Sequence, residues 1–281
     1  MTPIKQFLIS FFVILLFFSK LYGQDLFNYE NTLKYANHLF NNKQFQNSAI
    51  EYERITYLAP NDTLAKLRLV QSFRLMNDFK NAKTYLNKYF PENDSNYPEA
   101  FAEENFRILF LDHQYLNCYR FLLENSTIHQ TKNTEYKIGT LLMQNKWSEA
   151  KTISENYFEK YEKTTEMIDL YDITTKGINQ KYKNPYIAAL FSGIVPGSGK
   201  LYTKQWKDGI YAFLIVSTFS WMTYNSIKNK GLNTGSSILL GSVAFSFYAA
   251  NIFGSYKSAK TYNNKVNKEI TKDVESIIMK R

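Results

Sequence analysis

The hydrophobic pattern divides the chain into three stretches of different character. Residues 7–18 form an apolar run that contains one polar residue, Ser10. Residues 28–161 are polar, with aromatic and aliphatic residues at the three- and four-residue spacing of amphipathic helices. Beyond them, three runs contain no charged residue: 184–199, 209–227 and 231–256. The pattern predicts an all-α chain in which a leader precedes a polar helical region and a membrane region.

The leader has the layout of a secretory signal. Lys5 precedes the apolar run, and the following "SKLYG" ends in the small residue Gly23. This arrangement predicts a signal peptide over residues 1–23, cleaved after Gly23. Leu21 is larger than usual for its place before the cut, so an uncleaved anchor stays open as the alternative. No cysteine follows the run, which excludes a lipoprotein.

The polar region contains an internal repeat. Four short stretches each place an aromatic residue three positions before a small one, and the aromatic recurs at intervals of 34, 36 and 32 residues. The pairs are Phe45 with Ser48, Phe79 with Ala82, Tyr115 with Cys118, and Trp147 with Ala150. This pattern resembles the tetratricopeptide repeat, a 34-residue helix–turn–helix unit. The resemblance implies about four degenerate repeats over residues 24–162, stacked as one superhelix with a concave face.

In that family the concave face binds peptides or partner helices. Carried over by position, the face is lined by six residues: Asn37, Phe40, Gln71, Arg74, Arg107 and Phe110. The two arginines would favour an acidic ligand. The alternative interpretation is that these residues only pack or meet solvent in a spacer.

The last two uncharged runs are long enough to cross a bilayer, because about 20 helical residues span its apolar core. The run 184–199 is marginal, since Pro196 and Gly197 interrupt it. In the final run, small residues recur every fourth position and predict a ridge for close helix contact in lipid: Ser242, Ser246, Ala250 and Gly254. The fold class predicted is therefore all-α: a tetratricopeptide-like superhelix followed by a transmembrane hairpin or three-span module over residues 184–256.

The stretch "SGIVPGSGKLY" (192–202) suggests a phosphate-binding loop, but it fails the pattern. Counting back from Gly199 and Lys200, the first glycine of a Walker motif should stand where Ile194 is, and its hydroxyl residue where Leu201 is. The stretch instead resembles the beginning of small bacterial two-helix membrane domains of undefined role. Five residues carry that resemblance: Pro196, Gly197, Gly199, Tyr202 and Trp206.

Charge placement raises a question of topology. A linking helix is predicted over 163–183 and a basic tail over 257–281, where lysines outnumber acidic residues. The positive-inside rule places this tail in the cytoplasm, near anionic headgroups. Exported repeats then require the run 184–199 to cross as well. If that run is re-entrant instead, the repeats and the tail lie on one side, and either the signal or the charge interpretation is wrong.

Composition narrows the function. The net charge of +9 would suit nucleic acid, but much of it lies beside the membrane runs, so no nucleic-acid partner is expected. The lone Cys118 stands at a small-residue packing position, and the three histidines do not pair. No catalytic constellation, metal site or cofactor is therefore predicted. The sequence favours a non-enzymatic adaptor at the inner membrane that binds a protein or peptide in the envelope. The alternative is an accessory subunit of a transport or export complex, in which the membrane module is the working part.

Overall fold

The computed structural model describes residues 27–91 and 98–280, so the predicted signal peptide lies outside the described residues. Within them the chain is all-helical, with thirteen helices and no strand. It divides into two compact units, Met1–Gln114 and Tyr115–Arg281. The boundary falls inside the third predicted repeat, at the residue that begins its second helix.

The first unit contains five of the helices. They are α1 Tyr29–Asn41, α2 Phe45–Leu58, α3 Thr63–Leu75, α4 Phe79–Tyr89 and α5 Glu99–Leu111. Side chains of Asn28, Asp62 and Asp78 accept hydrogen bonds from the backbone at the starts of α1, α3 and α4. Such caps satisfy N–H groups that have no partner within the helix.

The core of the first unit forms where successive helices pack in chain order. Tyr52, Ile55 and Leu69 are almost fully buried at its centre. The Tyr52 hydroxyl donates to Asn37 Oδ1 at 2.6 Å, so its polar end is satisfied at the edge of this core. Each helix contributes one apolar stripe, as amphipathic helices of a helical-repeat protein do.

The turns inside the four predicted repeats share one backbone geometry. Their left-handed residues are Lys43, Asn77, His113 and Asn145, with φ between 58° and 60°. Two residues after each of them, a predicted aromatic residue begins the next helix. The small residues Ser48, Ala82, Cys118 and Ala150 are all fully buried. The four turns are therefore present where the repeat pattern predicts them, whereas the tetratricopeptide-like packing of the helices stays a prediction.

The second unit begins with four polar helices. They are α6 Tyr115–Glu124, α7 Gln130–Met143, α8 Trp147–Phe158 and α9 Thr165–Asn179. The predicted linking helix corresponds to α9, and it does more than connect. Met167 and Leu170 are fully buried, and the Tyr171 ring meets Phe158 of α8 edge-on at 5.5 Å.

Four helices follow in the membrane region: α10 Pro185–Ile194, α11 Ser198–Tyr202, α12 Trp206–Lys230 and α13 Gly235–Ile278. Among the described residues, α13 is the one helix long and apolar enough to cross a membrane by length and composition. Only 11% of its most apolar stretch is buried, which fits a helix surrounded by lipid. The 25-residue α12 has the length, but its Ser, Thr, Tyr and Asn residues lower its apolar content.

The predicted basic tail requires correction. Residues 257–278 are the second half of α13, which continues without a break for 44 residues. Ile270, Val274 and Ile278 are buried on one face of this half, which packs against α7 and α9. A Cβ placed on Gly139 of α7 would lie 2.6 Å from Ile278 Cδ1, so the two helices approach closely. The tail is thus part of the folded core of the second unit.

Candidate functional site

The predicted ligand face of the first unit is only partly accessible. Phe40, Arg74 and Phe110 are buried, with 7%, 9% and 1% of their surface exposed. Asn37 is exposed and Gln71 half-exposed, and both lie at the surface. Phe40 instead packs inside, against the rings of Phe45 and Tyr52.

The two arginines of this face are held in an internal ion-pair cluster around Glu104. Arg74 Nε donates to Glu104 Oε1, and both groups are buried. Arg107 approaches the other Glu104 oxygen at 3.8 Å and pairs with Glu103 at 3.2 Å. Because their charges are already compensated, these arginines give no basis for an acidic ligand. That part of the prediction is withdrawn.

Two neutral, hydrogen-bonding side chains of this face, Asn37 and Gln71, remain accessible beside the partly exposed Arg68. Gln71 Oε1 accepts from Arg68 at 3.1 Å, and the Arg68 guanidinium lies over the Phe40 ring at 4.6 Å. The amide of Asn37 retains donor capacity after it accepts from Tyr52. The surface can therefore form hydrogen bonds with the backbone or side chains of a peptide.

The membrane motif forms a compact loop that folds back on α13. Gly197 has a left-handed φ of +85°, and a Cβ there would lie 2.0 Å from the carbonyl oxygen of Gly209 in α12. A Cβ on Gly199 would lie 1.9 Å from the carbonyl oxygen of Ala188 in α10. Only glycine permits these approaches, which is the physical reason for the two motif glycines.

A network of small polar groups fastens this loop to α13. Asn251 of α13 accepts from Gly197 N at 3.0 Å and donates to the carbonyl of Ser192 at 3.2 Å. The hydroxyls of Ser192 and Ser255 lie 2.7 Å apart, and Ser192 also accepts from Gly199 N. Paired in this way, backbone groups can be buried in an apolar setting at little cost.

The contacts also show the path of the loop along α13. Before α10, the backbone of Lys183 exchanges two hydrogen bonds with the side chain of Asn263. At the far end of α10, Tyr248 donates to the carbonyl of Gly193. After α11, Thr203 meets Ser258. The segment therefore starts beside residue 263 of α13. It reaches residue 248 at the end of α10 and returns to residue 258 after α11.

The remaining motif residues lie at the ends of this loop. The Tyr202 hydroxyl accepts from Asn184 N at 3.3 Å, and its ring meets Phe191 edge-on. Trp206 begins α12 and is mostly exposed. Pro196 is half-buried in the bend between α10 and α11. All five residues are thus brought together at one end of the α12–α13 hairpin.

The predicted small-residue ridge of α13 is not the set of residues that packs inside the unit. The residues that do pack there begin one position further along the helix. Ser242 and Ser246 are exposed, and each donates its hydroxyl to a carbonyl of its own helix. Ala250 is also exposed, and Gly254 lies beside Lys200 of α11. The residues of α13 that meet the loop are instead Asn251, Ser255 and Ser258.

One further feature of this region, a turn at Lys204, was not predicted from the sequence. Lys204 has φ of +64°, and Gln205 N donates to the carbonyl of Lys200, as in the repeat turns. Two residues later Trp206 begins α12, and the small Gly209 follows three residues on. The aromatic-and-small pair of the repeats thus recurs at the start of α12, and comparing "KQF" at 43–45 with "KQW" at 204–206 would have found it.

Other reactive groups have structural surroundings. Burial raises the pKa of the Cys118 thiol to about 12, and its sulfur lies 3.6 Å from the Thr140 hydroxyl. His38 contacts the Asn42 side chain within α1. Over residues 27–91 and 98–280, no cluster of His, Cys, Asp and Glu side chains is arranged to hold a metal ion.

Comparison with known proteins adds no relative. No protein-family model matches the chain, and neither the curated proteins nor the solved structures contain a match.

Proposed function

We propose that this chain is a non-enzymatic, membrane-anchored adaptor that presents a helical-repeat surface to a protein or peptide partner. One observation carries the proposal. Helix α13 exposes large apolar side chains in its first half and packs against α7 and α9 with its second half. A single helix therefore joins the membrane hairpin to the folded polar helices of the second unit without a flexible linker, which suits a protein anchored at the bilayer.

The proposed anchor is the α12–α13 hairpin, with α10 and α11 as a re-entrant wedge. Ten residues of α10 extend about 15 Å, half of the roughly 30 Å of a bilayer core. The contacts described above support a segment that turns back to the side from which it came. With two crossings, helices α6–α9 and the chain's C-terminal end lie on the same side of the membrane. This topology replaces the three-crossing alternative.

Two contacts support that shared side. Lys280 donates to Glu166 of α9 at 3.0 Å, and Ile278 lies against Gly139 of α7. Residues on opposite sides of a bilayer cannot make such contacts. The export signal and the positive-inside rule then disagree about the compartment, and labelling from outside the cell decides between them.

The proposed partner surface centres on Asn37 and Gln71 in the first unit. It rests on the resemblance of the repeats to the tetratricopeptide family and on the accessibility of these two side chains. The test is to place a photoreactive residue at Asn37 in the full-length chain and irradiate it in its native membrane. Asn47 is a matched control, because it is an exposed asparagine on α2, the other helix of the same pair.

We expect one discrete crosslinked product at position 37, absent at position 47 and confined to the membrane fraction. Equal products at both positions, or none at either, would contradict an adaptor that uses this face.

The alternative, an accessory subunit of a transport or export complex, is favoured by the exposed part of the small-residue ridge. Ser242 and Ser246 face outward, where another membrane helix would find room for close approach. Photoreactive residues at these two positions discriminate the alternatives. Products confined to the ridge would favour the membrane complex, and products confined to Asn37 would favour the adaptor.

A further inference from the structure

An open cavity of about 220 Å³ lies between α11, α12 and α13. Its polar wall is formed by Lys200, Asp208 and Asn251. Its apolar wall is formed by Tyr211, Ala212, Ile215, Val216, Phe247 and Ala250. The hydrogen bonds of Asn251 are already used to hold the loop. The charged groups that line the groove are therefore one ammonium and one carboxylate.

The carboxylate stands out in the local sequence. Asp208 is the single acidic residue between positions 173 and 268, a stretch that contains twelve lysines. It is exposed in the first turn of α12, where a negative charge is compatible with the helix dipole. Lys200 is half-buried, and its side chain passes over Gly254 of α13. The groove thus presents opposite charges side by side on a surface that is otherwise basic.

The position of these charges relative to the membrane matters. Lys200 and Asp208 lie at the end of the hairpin where the loop meets α13 near residues 251–258, which is the interfacial end of the proposed span. Ile215 and Phe247 lie further along α12 and α13, toward the middle of the hairpin. From the interface inward, the groove therefore changes from charged to apolar.

We propose that this groove binds a zwitterionic aminophospholipid of the phosphatidylethanolamine class. Lys200 pairs with the phosphate and Asp208 with the primary ammonium, while an acyl chain lies along Ile215, Val216 and Phe247. An anionic lipid without an amine satisfies Lys200 but leaves Asp208 facing negative charge. This assignment rests on the proposed membrane anchoring, and it adds a ligand class to it.

The test is lipid titration of the full-length, delipidated chain in detergent, read by native mass spectrometry. The two probes are phosphatidylethanolamine and phosphatidylglycerol with identical acyl chains. We expect the ethanolamine lipid to bind about tenfold more tightly, the effect of one charge-assisted hydrogen bond. Asp208→Asn should abolish this preference, and Lys200→Gln should weaken the binding of both lipids.

Lys204→Gln and Lys230→Gln serve as controls, since both lysines are exposed and neither lines the groove. Equal affinity of the native chain for the two lipids, or an unchanged preference in Asp208→Asn, would overturn the proposal. Binding of soluble phosphoethanolamine as tightly as the lipid would also overturn it, because the ligand would then be a free phosphate ester.

Carbonate extraction of the same variants separates the two proposals. A native chain that stays in the membrane fraction but shows no lipid preference refutes the lipid site alone. Loss of the native chain itself from the membrane fraction refutes the anchoring as well.

Discussion

The two halves of α13 bury opposite kinds of side chain. In the first half the exposed residues are large and apolar, such as Leu239, Phe245 and Phe253, whereas Asn251 and Ser255 are buried. The second half reverses this arrangement: its lysines and Glu269 are exposed, and its large buried side chains are apolar, namely Ile270, Val274 and Ile278.

On the proposed anchoring, the difference follows from the solvent around each half. In water, burying apolar surface drives helices together. In lipid that drive is absent, so close packing and hydrogen bonds between helices hold the structure. One continuous helix therefore uses two kinds of interior, and the change occurs near residues 256–265. The predictions below test this contrast, beginning with the largest effect.

The largest effect is expected from Gly199→Ala in the membrane half. The added Cβ would meet the Ala188 carbonyl at 1.9 Å, and backbone atoms cannot move aside as a flexible side chain can. We expect a loss of at least about 3 kcal/mol, seen as failure to accumulate or a large fall in Tm of the full-length chain in detergent. Gly235→Ala is the matched control, because a Cβ at that position meets no atom within 4 Å. A Gly199→Ala chain as stable as this control would refute the close loop geometry.

The second prediction places an apolar residue in the hydrogen-bonded interior of the membrane half. Asn251→Leu keeps the branched shape and the number of heavy side-chain atoms but leaves Gly197 N and the Ser192 carbonyl without Asn251 as partner. We expect a loss of about 2–3 kcal/mol in unfolding free energy, because unpaired buried backbone groups are costly. Phe253→Leu, an exposed position two residues away, should change Tm little. Stabilisation by Asn251→Leu would show that this interior is held by apolar burial.

The third prediction places a polar residue in the apolar interior of the water-facing half. Val274→Asn puts an amide into a fully buried apolar contact with α7 and α9, for a loss of about 2 kcal/mol. We expect faster amide hydrogen exchange over residues 266–278, with the membrane half unaffected. Ser276→Asn at an exposed position is the control. Equal exchange in both variants would contradict the docking of this half.

The smallest effect concerns the ion pair of Lys280 with Glu166. The hydrogen bond from Lys280 lowers the pKa of Glu166, and the same bond raises the pKa of Lys280. Because the pKa of Glu166 is lower in the folded chain than in the unfolded chain, its ionisation stabilises the fold at pH values above the unfolded pKa. That stabilisation is lost as the pH falls through the folded pKa. Because the pKa of Lys280 is higher in the folded chain than in the unfolded chain, its protonation stabilises the fold at pH values below the unfolded pKa. That stabilisation is lost as the pH rises through the folded pKa.

Lys280→Gln should therefore lower Tm slightly at neutral pH, by less than Val274→Asn does. The difference from the native chain should disappear in acid, once Glu166 is protonated. A difference that stays constant down to pH 3 would exclude the ion pair as its source.

The parts of the fold that the sequence predicted are those determined locally. The aromatic-and-small pairs identified all four turns, because such turns depend on a few neighbouring residues. The contact of Arg74 with Glu104 joins positions 30 residues apart, and no periodicity indicates it. The ridge on α13 was displaced by one residue because small residues at 250 and 254 are equally compatible with close packing. Asn251 is distinguished only by its partners in the loop.

The docking of the second half of α13 was missed for a related reason. Lysines dominate the composition of residues 257–281, and the three buried apolar residues are spaced four apart within them. That spacing predicts an amphipathic helix but not its target. The target, α7, lies more than a hundred residues earlier in the chain.

The most direct test of the account is cysteine labelling in intact cells with a membrane-impermeant maleimide. Single cysteines replace Lys160, Lys280 or Asn233, all exposed, and the last lies in the turn between α12 and α13. The native Cys118 is buried, so the parent chain should give little background. The account predicts that Lys160→Cys and Lys280→Cys behave alike and that Asn233→Cys behaves oppositely. Labelling of Lys160→Cys and Lys280→Cys from opposite sides would contradict it, because α13 could not then join the membrane hairpin to α7 and α9.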